Sequence, residues 1–360
     1  MTRLERVLNE MKKRNLHQIL VSDPASIWYL TGIANEPYER LWVLYISDKC
    51  KPVLFANRLF HIPSPEEKPD LPEVVWHTDS DDAVQMIADR IEKTGTIGID
   101  KTWPAGFLIP LMEKCPGLTP VLSSDCLDDC RAIKDSDEIQ KMKEASRIND
   151  LVNRRARDYV KIGMTEKEVA SFIDREYVKE GAQGPSFTTI VSFGANAADP
   201  HHEPDDTVLK EGQCVLFDMG CKKDRYCSDM TRTFFAGQPT EEEAKVHDLV
   251  RFANEKAESL IRPGIRLSDL DKAARDLITE AGYGPYFNHR LGHFIGQTDH
   301  EKGDVSSASD KVCQPGMIFS IEPGVYLPGR FGVRVEDLVL VTEDGCEVLN
   351  HEDKHWKVVG

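Results

Sequence analysis

Two aspartates stand in text that otherwise reads as buried strand, and they constrain this chain more than any other feature. VLFDMG places Asp218 directly after three apolar residues, and YCSDMTRTFF places Asp229 in the strand that follows. Runs of this kind read as neighbouring strands joined by a short polar turn. With Lys223-Asp224 as a two-residue turn, Asp218 falls opposite Asp229, both side chains on one face and their Cβ atoms roughly 4.5–5.5 Å apart. Lys223-Asp224 is not the Asn-Gly type that fixes such a turn, so this register is conditional. Two like charges so close are destabilising, and burial makes each carboxylate harder to ionise. A bound cation removes both penalties. The plain alternative is an aspartate that only serves a turn or a bulge.

The same pattern recurs downstream. Glu322 in FSIEPG and Glu336 in GVRVED flank a loop centred near Gly329, with Pro323 and Gly324 breaking the first strand early. That implies proximity without a particular pairing. Between the two carboxylate hairpins lies HRLGHFIG, with His289 and His293 among glycines. Mostly oxygen donors with one imidazole suit a hard divalent ion such as Mn²⁺ better than a thiolate-seeking metal. Two ions are expected rather than one, because four carboxylates around a single dication leave net negative charge buried.

Around these residues the chain reads as two domains. Residues 1–130 alternate helical and strand patterns: an amphipathic start (Leu4, Val7, Leu8, Met11), QILVSD, two strands in WVLYISDKCKPVLFA, a helix over 82–93, a strand over 96–100 and PVLSS. This is an α/β domain. The acidic run DCLDDCRAIKDSDE marks the boundary, and a long helix is predicted from 138 to 161. Residues 131–360 carry capping-box starts at Thr165 with Glu168 and Thr240 with Glu243, and a weaker one at Ser268 with Asp271, among β-rich segments. That describes an α+β domain.

Composition narrows the function classes. There are 45 Lys and Arg against 61 Asp and Glu, a net charge of −16, which argues against nucleic-acid binding. No apolar run approaches the ~20 residues of a membrane span. The charged start MTRLERVLNEMKKRN has no apolar h-region, so no secretory signal is read, and nine cysteines without a CxxC pair fit reduced thiols in the cytoplasm. His300-Glu301 is followed by Lys302, Gly303 and Asp304, so no HExxH zinc helix is present, and GxSxG, Walker A and GxGxxG patterns are missing.

LFDMG, CSDMTRTF, HRLGHFIG, SIEPGVY and VRVED together resemble the creatinase/methionine aminopeptidase, or pita-bread, metallopeptidases. The whole chain resembles the Xaa-Pro branch, prolidase and aminopeptidase P, through WYLTGI in the N-terminal domain and RAIKDSDEIQKM at the linker. The resemblance implies a creatinase-like N-terminal α/β domain and a pita-bread α+β catalytic domain. It implies five metal ligands: Asp218 on one ion, His293 and Glu322 on the other, Asp229 and Glu336 bridging. The ions would be Mn²⁺, with Co²⁺ or Zn²⁺ as alternatives, and a hydroxide between them would be the nucleophile. Glu322 matches the family's proton-handling Glu. His201 matches the His that holds the scissile carbonyl, His300 a second His at the substrate and His289 a supporting one. Tyr326 and Arg334 match positions that line the pocket or orient ligands. Thr231 and Thr233 are strand residues or donors to Asp229.

The activity so implied is hydrolysis of Xaa-Pro dipeptides by a cytoplasmic homodimer acting on small proline-containing peptides. One departure bears on substrate. Prolidases commonly carry a proline and a cation soon after the HE dipeptide, to hold the dipeptide's carboxylate, whereas this chain has HEKGDVSS with Asp304 there. Aminopeptidase P, which takes longer Xaa-Pro peptides, is therefore the alternative. Methionine aminopeptidases lack the N-terminal domain and creatinase lacks the ligands. A non-catalytic binding protein on the same fold is the remaining class, and its members have usually lost ligands that are all present here.

Overall fold

The computed structural model describes residues 1–64 and 66–360. They form two compact units, Met1–Arg131 and Ala132–Gly360. Among the described residues no helix is long and apolar enough to cross a membrane.

The first unit runs α1 (Arg3–Lys13), β1 (Gln18–Val21), α2 (Pro24–Thr31), β2 (Val43–Ser47), β3 (Val53–Asn57), β4 (Glu73–His77), α3 (Ala83–Ala88), β5 (Thr94–Ile99), α4 (Ala105–Lys114), β6 (Gly117–Leu122) and α5 (Asp125–Ala132). Its sheet has the order β4-β3-β2-β1-β5-β6. The unbroken apolar text of β1 to β3 follows from burial on both faces. Ile19, Val21, Leu44 and Ile46 pack with Val7 and Met11 of α1, while Leu20, Val43 and Tyr45 pack on the other face with Ile87 of α3 and Leu111 of α4. The helix expected over 82–93 is shorter than its pattern. It stops at Ala88, and Gln18 on β1 bonds both the amide and the carbonyl of Glu92, which holds the following segment against the sheet.

The second unit runs α6 (Ser136–Tyr159), α7 (Glu166–Lys179), β7 (Ile190–Phe193), β8 (Cys214–Met219), β9 (Lys222–Lys223), β10 (Tyr226–Cys227), β11 (Met230–Ala236), α8 (Glu241–Glu258), α9 (Leu267–Glu280), β12 (Gly292–Phe294), β13 (Glu301–Val305), β14 (Ile318–Ile321), β15 (Gly324–Leu327), β16 (Phe331–Arg334), β17 (Asp337–Val341), β18 (Cys346–Val348) and β19 (Val358–Val359). Two sheets carry it, β19-β11-β8-β7 and β13-β12-β14-β17-β18, with two-stranded ribbons β9-β10 and β15-β16. The helix pair α6 and α7 covers the first sheet, burying Ala145, Ile148, Val169 and Ile173 against Val215, Phe217 and Phe234. The pair α8 and α9 joins the core of the second sheet, with Val246, Val250, Leu270 and Ala274 beside Phe294, Phe319 and Val339.

Local signals explain the helix starts. Thr165 and Thr240 each accept from the amide three residues on and receive the reciprocal bond from Glu168 and Glu243, as the capping-box spacing predicts. Ser268 and Asp271 do not form the expected box. Helix α9 starts two residues earlier, after Arg266, and the Asp271 carboxylate turns inward to Arg275 and the Leu291 amide.

The β8–β11 register also differs from the one a 223–224 turn would impose. Lys223 pairs with Tyr226, so the turn residues are Asp224 and Arg225, with φ of 47° and 71°. Two successive positive φ values mark the hairpin turn whose twist matches the strands. The Arg225 amide is secured by Gln183 Oε1 at 2.8 Å. Every pairing shifts by two residues, and Asp218 lies opposite Thr231. A two-residue shift keeps side-chain parity, so Asp229 stays on the Asp218 face as a diagonal neighbour.

Candidate metal centre

Each acid sits where a ladder ends or breaks. Asp218 is the penultimate residue of β8, and Asp229 immediately precedes β11. Glu322 follows β14 and Glu336 precedes β17. The β14–β17 ladder and the β15–β16 ladder share one register, interrupted only at Glu322-Pro323 and Val335-Glu336. The two glutamates therefore face each other across the interruption, a relationship that the sequence supported only as proximity.

Helices fix the backbone beside these acids. Asn149 of α6 donates to the Met219 carbonyl at 2.8 Å, one residue after Asp218. Asn254 of α8 donates to the Ile321 carbonyl at 2.8 Å, one residue before Glu322. Ser320, fully buried in β14, accepts the His293 amide at 3.0 Å and donates to Glu322 Oε1 at 3.1 Å. These three polar residues were missed by sequence reasoning; a serine inside the apolar run MIFSI was the one visible sign.

The five expected donors line one cavity of about 740 Å³, together with His201, His289, His300 and Arg334. Asp229, His293 and Glu336 each bring a ligand atom within 4.8 Å of the others. His293 Nε2 lies 3.6 Å from Asp229 Oδ2 and 3.5 Å from Glu322 Oε1. Its Nδ1 is 3.2 Å from the Phe294 carbonyl, which can only accept, so Nδ1 carries a proton and Nε2 is the nitrogen whose lone pair can be offered to a cation among the acids.

The charges of this group are unbalanced without a cation. Burial, then the Asp218 charge, holds Asp229 well above the usual carboxylate range. Burial, then Asp229 and Glu322, does the same to Glu336. Burial pushes Glu322 up to about 7 against the opposing pull of His293 and Arg334. Asp218 Oδ1 and Asp229 Oδ1 are buried with no hydrogen-bond partner. Buried carboxylate oxygens without donors, beside an imidazole lone pair, fit divalent cations.

Arg334 supplies a strong counter-charge. It donates to Asp218 Oδ2 at 2.6 Å, to Tyr326 Oη at 2.8 Å and to Thr231 Oγ1 at 3.0 Å. Thr231 Oγ1 in turn donates to Glu336 Oε2 at 2.6 Å. The threonine expected beside Asp229 thus serves Glu336, a consequence of the shifted register. Thr233 bonds the Arg334 backbone instead, in both directions.

The expected substrate residues separate into two groups. His201 and His300 are exposed and line the cavity, with the His300 ring 4.0 Å from that of His293. Although the residue as a whole is exposed, partial burial of its ring, then His293, lowers His300 to about 4. His289 and Tyr326 are held within the chain. His289 Nδ1 donates to the Arg290 carbonyl at 2.7 Å, so Nε2 accepts from Tyr326 Oη at 2.9 Å, and burial with Arg334 nearby lowers this imidazole to about 3. Tyr326 is buried and does not line the cavity, whereas half-buried His289 does, so the tyrosine supports the wall through the histidine. Asp304, where a cation was sought, pairs with Arg290, which lines the cavity. Sequence reasoning did not single out Arg290.

Among the described residues one other cluster has ligand-like spacing, Glu166, His202 and Asp205. Both Glu166 oxygens already accept from N–H donors, which leaves no lone pair aimed at a shared cation.

Comparison with known proteins places this arrangement in a family. Residues 140–343 match the model of metallopeptidase family M24, and residues 3–133 match the creatinase/prolidase N-terminal domain. The chain belongs to metallopeptidase family M24. Its architecture is accordingly the creatinase-type α/β domain followed by the pita-bread catalytic domain of that family. An uncharacterised peptidase of Staphylococcus aureus (strain MSSA476) is 37% identical over 360 residues, covering 98% of this chain and 100% of the relative. A dipeptidase from Pyrococcus horikoshii OT3 superposes with a TM-score of 0.92 at 33% identity, covering 99% of this chain and 100% of that one. A recombinant prolidase from Thermococcus sibiricus gives a TM-score of 0.91 at 35% identity, covering 98% and 96%. As an M24 member, this metallopeptidase is a hydrolase for which divalent metal ions are implied.

Proposed function

We propose that this M24 peptidase hydrolyses the imide bond of Xaa-Pro dipeptides with two divalent ions, Mn²⁺ first among them. The observation that carries the proposal is the convergence of Asp218, Asp229, His293, Glu322 and Glu336 at one cavity that His201 and His300 also line. Asp218 would hold one ion, His293 and Glu322 the other, and Asp229 and Glu336 both. Bound there, the ions supply the positive charge that brings the pKa of water near neutrality.

The chain's own groups do the rest. Glu322 accepts a proton from the attacking water and returns it to the proline nitrogen as the C–N bond breaks. That nitrogen carries no hydrogen in the substrate, so it becomes a secondary amine only by gaining one. His201 and His300 at the cavity wall orient the scissile carbonyl. His300 is neutral near pH 7, so it donates a hydrogen bond without adding charge. Arg290, paired with Asp304, stands on the wall as a cation that a dipeptide's carboxylate could share.

Elemental analysis of metal content, followed by assay of an Xaa-Pro dipeptide against an Xaa-Pro-Xaa tripeptide with Mn²⁺ or Co²⁺, tests the proposal. Faster dipeptide cleavage is expected. Preference for the tripeptide would select aminopeptidase P. A protein that binds no metal and cleaves neither would be the non-catalytic binding module.

A further inference from the structure

Helix α7 begins with a carboxylate that has no exposed surface. Glu166 is the first residue of the helix and is fully buried. Its Oε1 accepts from the Phe193 amide at 2.7 Å and from Asn196 Nδ2 at 3.0 Å. Its Oε2 accepts from His202 Nε2 at 2.8 Å and from the Asp205 amide at 3.1 Å. A buried carboxylate with four donors is a stable anchor, because every strong lone-pair direction is used and no charge is left uncompensated. The donors come from both ends of one segment, 193–205, which carries His201 at its exposed tip.

The bonding fixes the histidine tautomer. Asn196 Nδ2 has two hydrogens, and Glu166 Oε1 and Thr207 Oγ1 at 3.1 Å take them. The 3.1 Å approach of His202 Nε2 to the same amide nitrogen is then a contact between two donors. Nε2–H of His202 points at Glu166. His202 is the immediate neighbour of His201 in the chain, and its ring is turned to Glu166. The segment is also pressed from the other side. Gly332 of β16 lies so close to the Ala197 carbonyl that a Cβ there would collide with it, two residues before Arg334.

We propose that Glu166 is a positioning residue: through His202 and the amides at both ends of the segment, it sets the place of His201 at the cavity. This rests on the role given to His201 above. Glu166 touches neither the metal donors nor the substrate. Its effect reaches the reaction only through the geometry of the loop, where a displacement of about 1 Å can cost about 100-fold in rate.

Glu166→Gln, His202→Leu and His202→Gln in the full-length, Mn²⁺-loaded protein test this. The Gln at 166 turns an amide NH₂ toward two of the four donors. The Gln at 202 keeps an N–H where Nε2–H was. By amide exchange, peptides covering 193–205 should exchange about 10-fold faster in Glu166→Gln and His202→Leu and as wild type in His202→Gln, with strand Cys214–Met219 unchanged in all three. On an Xaa-Pro dipeptide, kcat should fall about 10- to 100-fold in the first two with KM and Mn²⁺ stoichiometry near wild type, and His202→Gln should restore it. Unchanged exchange over 193–205, a rise throughout the unit, or a loosened loop with wild-type kcat would each overturn the proposal. A wild type that cleaves no Xaa-Pro peptide removes the peptidase reading alone, because the exchange comparison still decides whether Glu166 holds the segment.

Discussion

Arg334 donates from Nη2 to Oδ2 of Asp218 at 2.6 Å, and both side chains are largely shielded from solvent. Removing one partner of a buried ion pair leaves the other charge uncompensated, at a cost of about 3 kcal/mol. Dications bound as proposed would give Asp218 a second source of positive charge. Arg334→Met should therefore destabilise the chelated protein by about 3 kcal/mol and the Mn²⁺-loaded protein by clearly less. Urea unfolding in chelator and in Mn²⁺ measures both, and an equal loss in the two conditions would count against metal binding at Asp218.

Thr231 relays between the same arginine and the second hairpin. Its oxygen accepts from Arg334 Nε and its hydrogen goes to Glu336. Thr231→Val keeps the shape and β-branching but removes both bonds. Metal affinity should drop about 10- to 100-fold, the usual cost of losing a bond that orients a ligand. Calorimetric titration with Mn²⁺ reads this directly; undiminished affinity would mean that Glu336 is held well enough without it.

These two bonds show where the sequence was informative and where it was silent. The strand runs, the acids inside them and the family motifs were legible because period and spacing are local properties. The partner of Asp218 was not, because it depends on which two residues turn. Asp224-Arg225 carries two positive φ values without the glycine that announces such turns. The Glu166 anchor was invisible for a different reason: its partners lie 27 to 39 residues away along the chain. The Ser268-Asp271 box failed because Asp271 had a better partner in Arg275, a competition that no spacing rule records.

The raised carboxylates predict how metal stabilisation varies with pH. Burial pushes Glu322 up to about 7 in the folded chain, and Asp229 and Glu336 are shifted in the same direction, against unfolded values of about 4.3 for Glu and 3.9 for Asp. A group whose folded pKa is raised gives stability that is fully present below the unfolded value and lost as pH rises through the folded one. The chelated protein thus loses stability at Glu322 between about pH 4.5 and 7, and at Asp229 and Glu336 as pH rises above their unfolded values. Bound metal abolishes that loss by favouring the ionised form. The depressed histidines, His289 among them, act in the opposite sense but contribute with and without metal, so they cancel in the difference. The gap in melting temperature between Mn²⁺-loaded and chelated protein should widen from about pH 5 to 7.5. A gap that stays constant or narrows would show that these acids are not the binding groups.

Asp229→Asn separates what the acid does for the fold from what it does for the reaction. Burial and the Asp218 charge oppose ionisation of Asp229, and its Oδ1 has no donor. Replacing it by a neutral residue of the same size removes a repulsion from the metal-free protein and a ligand from the metal-loaded one. The chelated variant should be more stable than wild type at neutral pH, because the raised pKa of Asp229 marks a folded state that opposes its charge. Its turnover of an Xaa-Pro dipeptide should vanish, and added Mn²⁺ should no longer raise its melting temperature. Denaturant curves and a coupled activity assay on the same preparation check both halves. A variant that is destabilised without metal would show that the Asp229 carboxylate holds the fold together, whereas a gain in stability joined to lost turnover marks a residue kept for its chemistry at a cost to the empty protein.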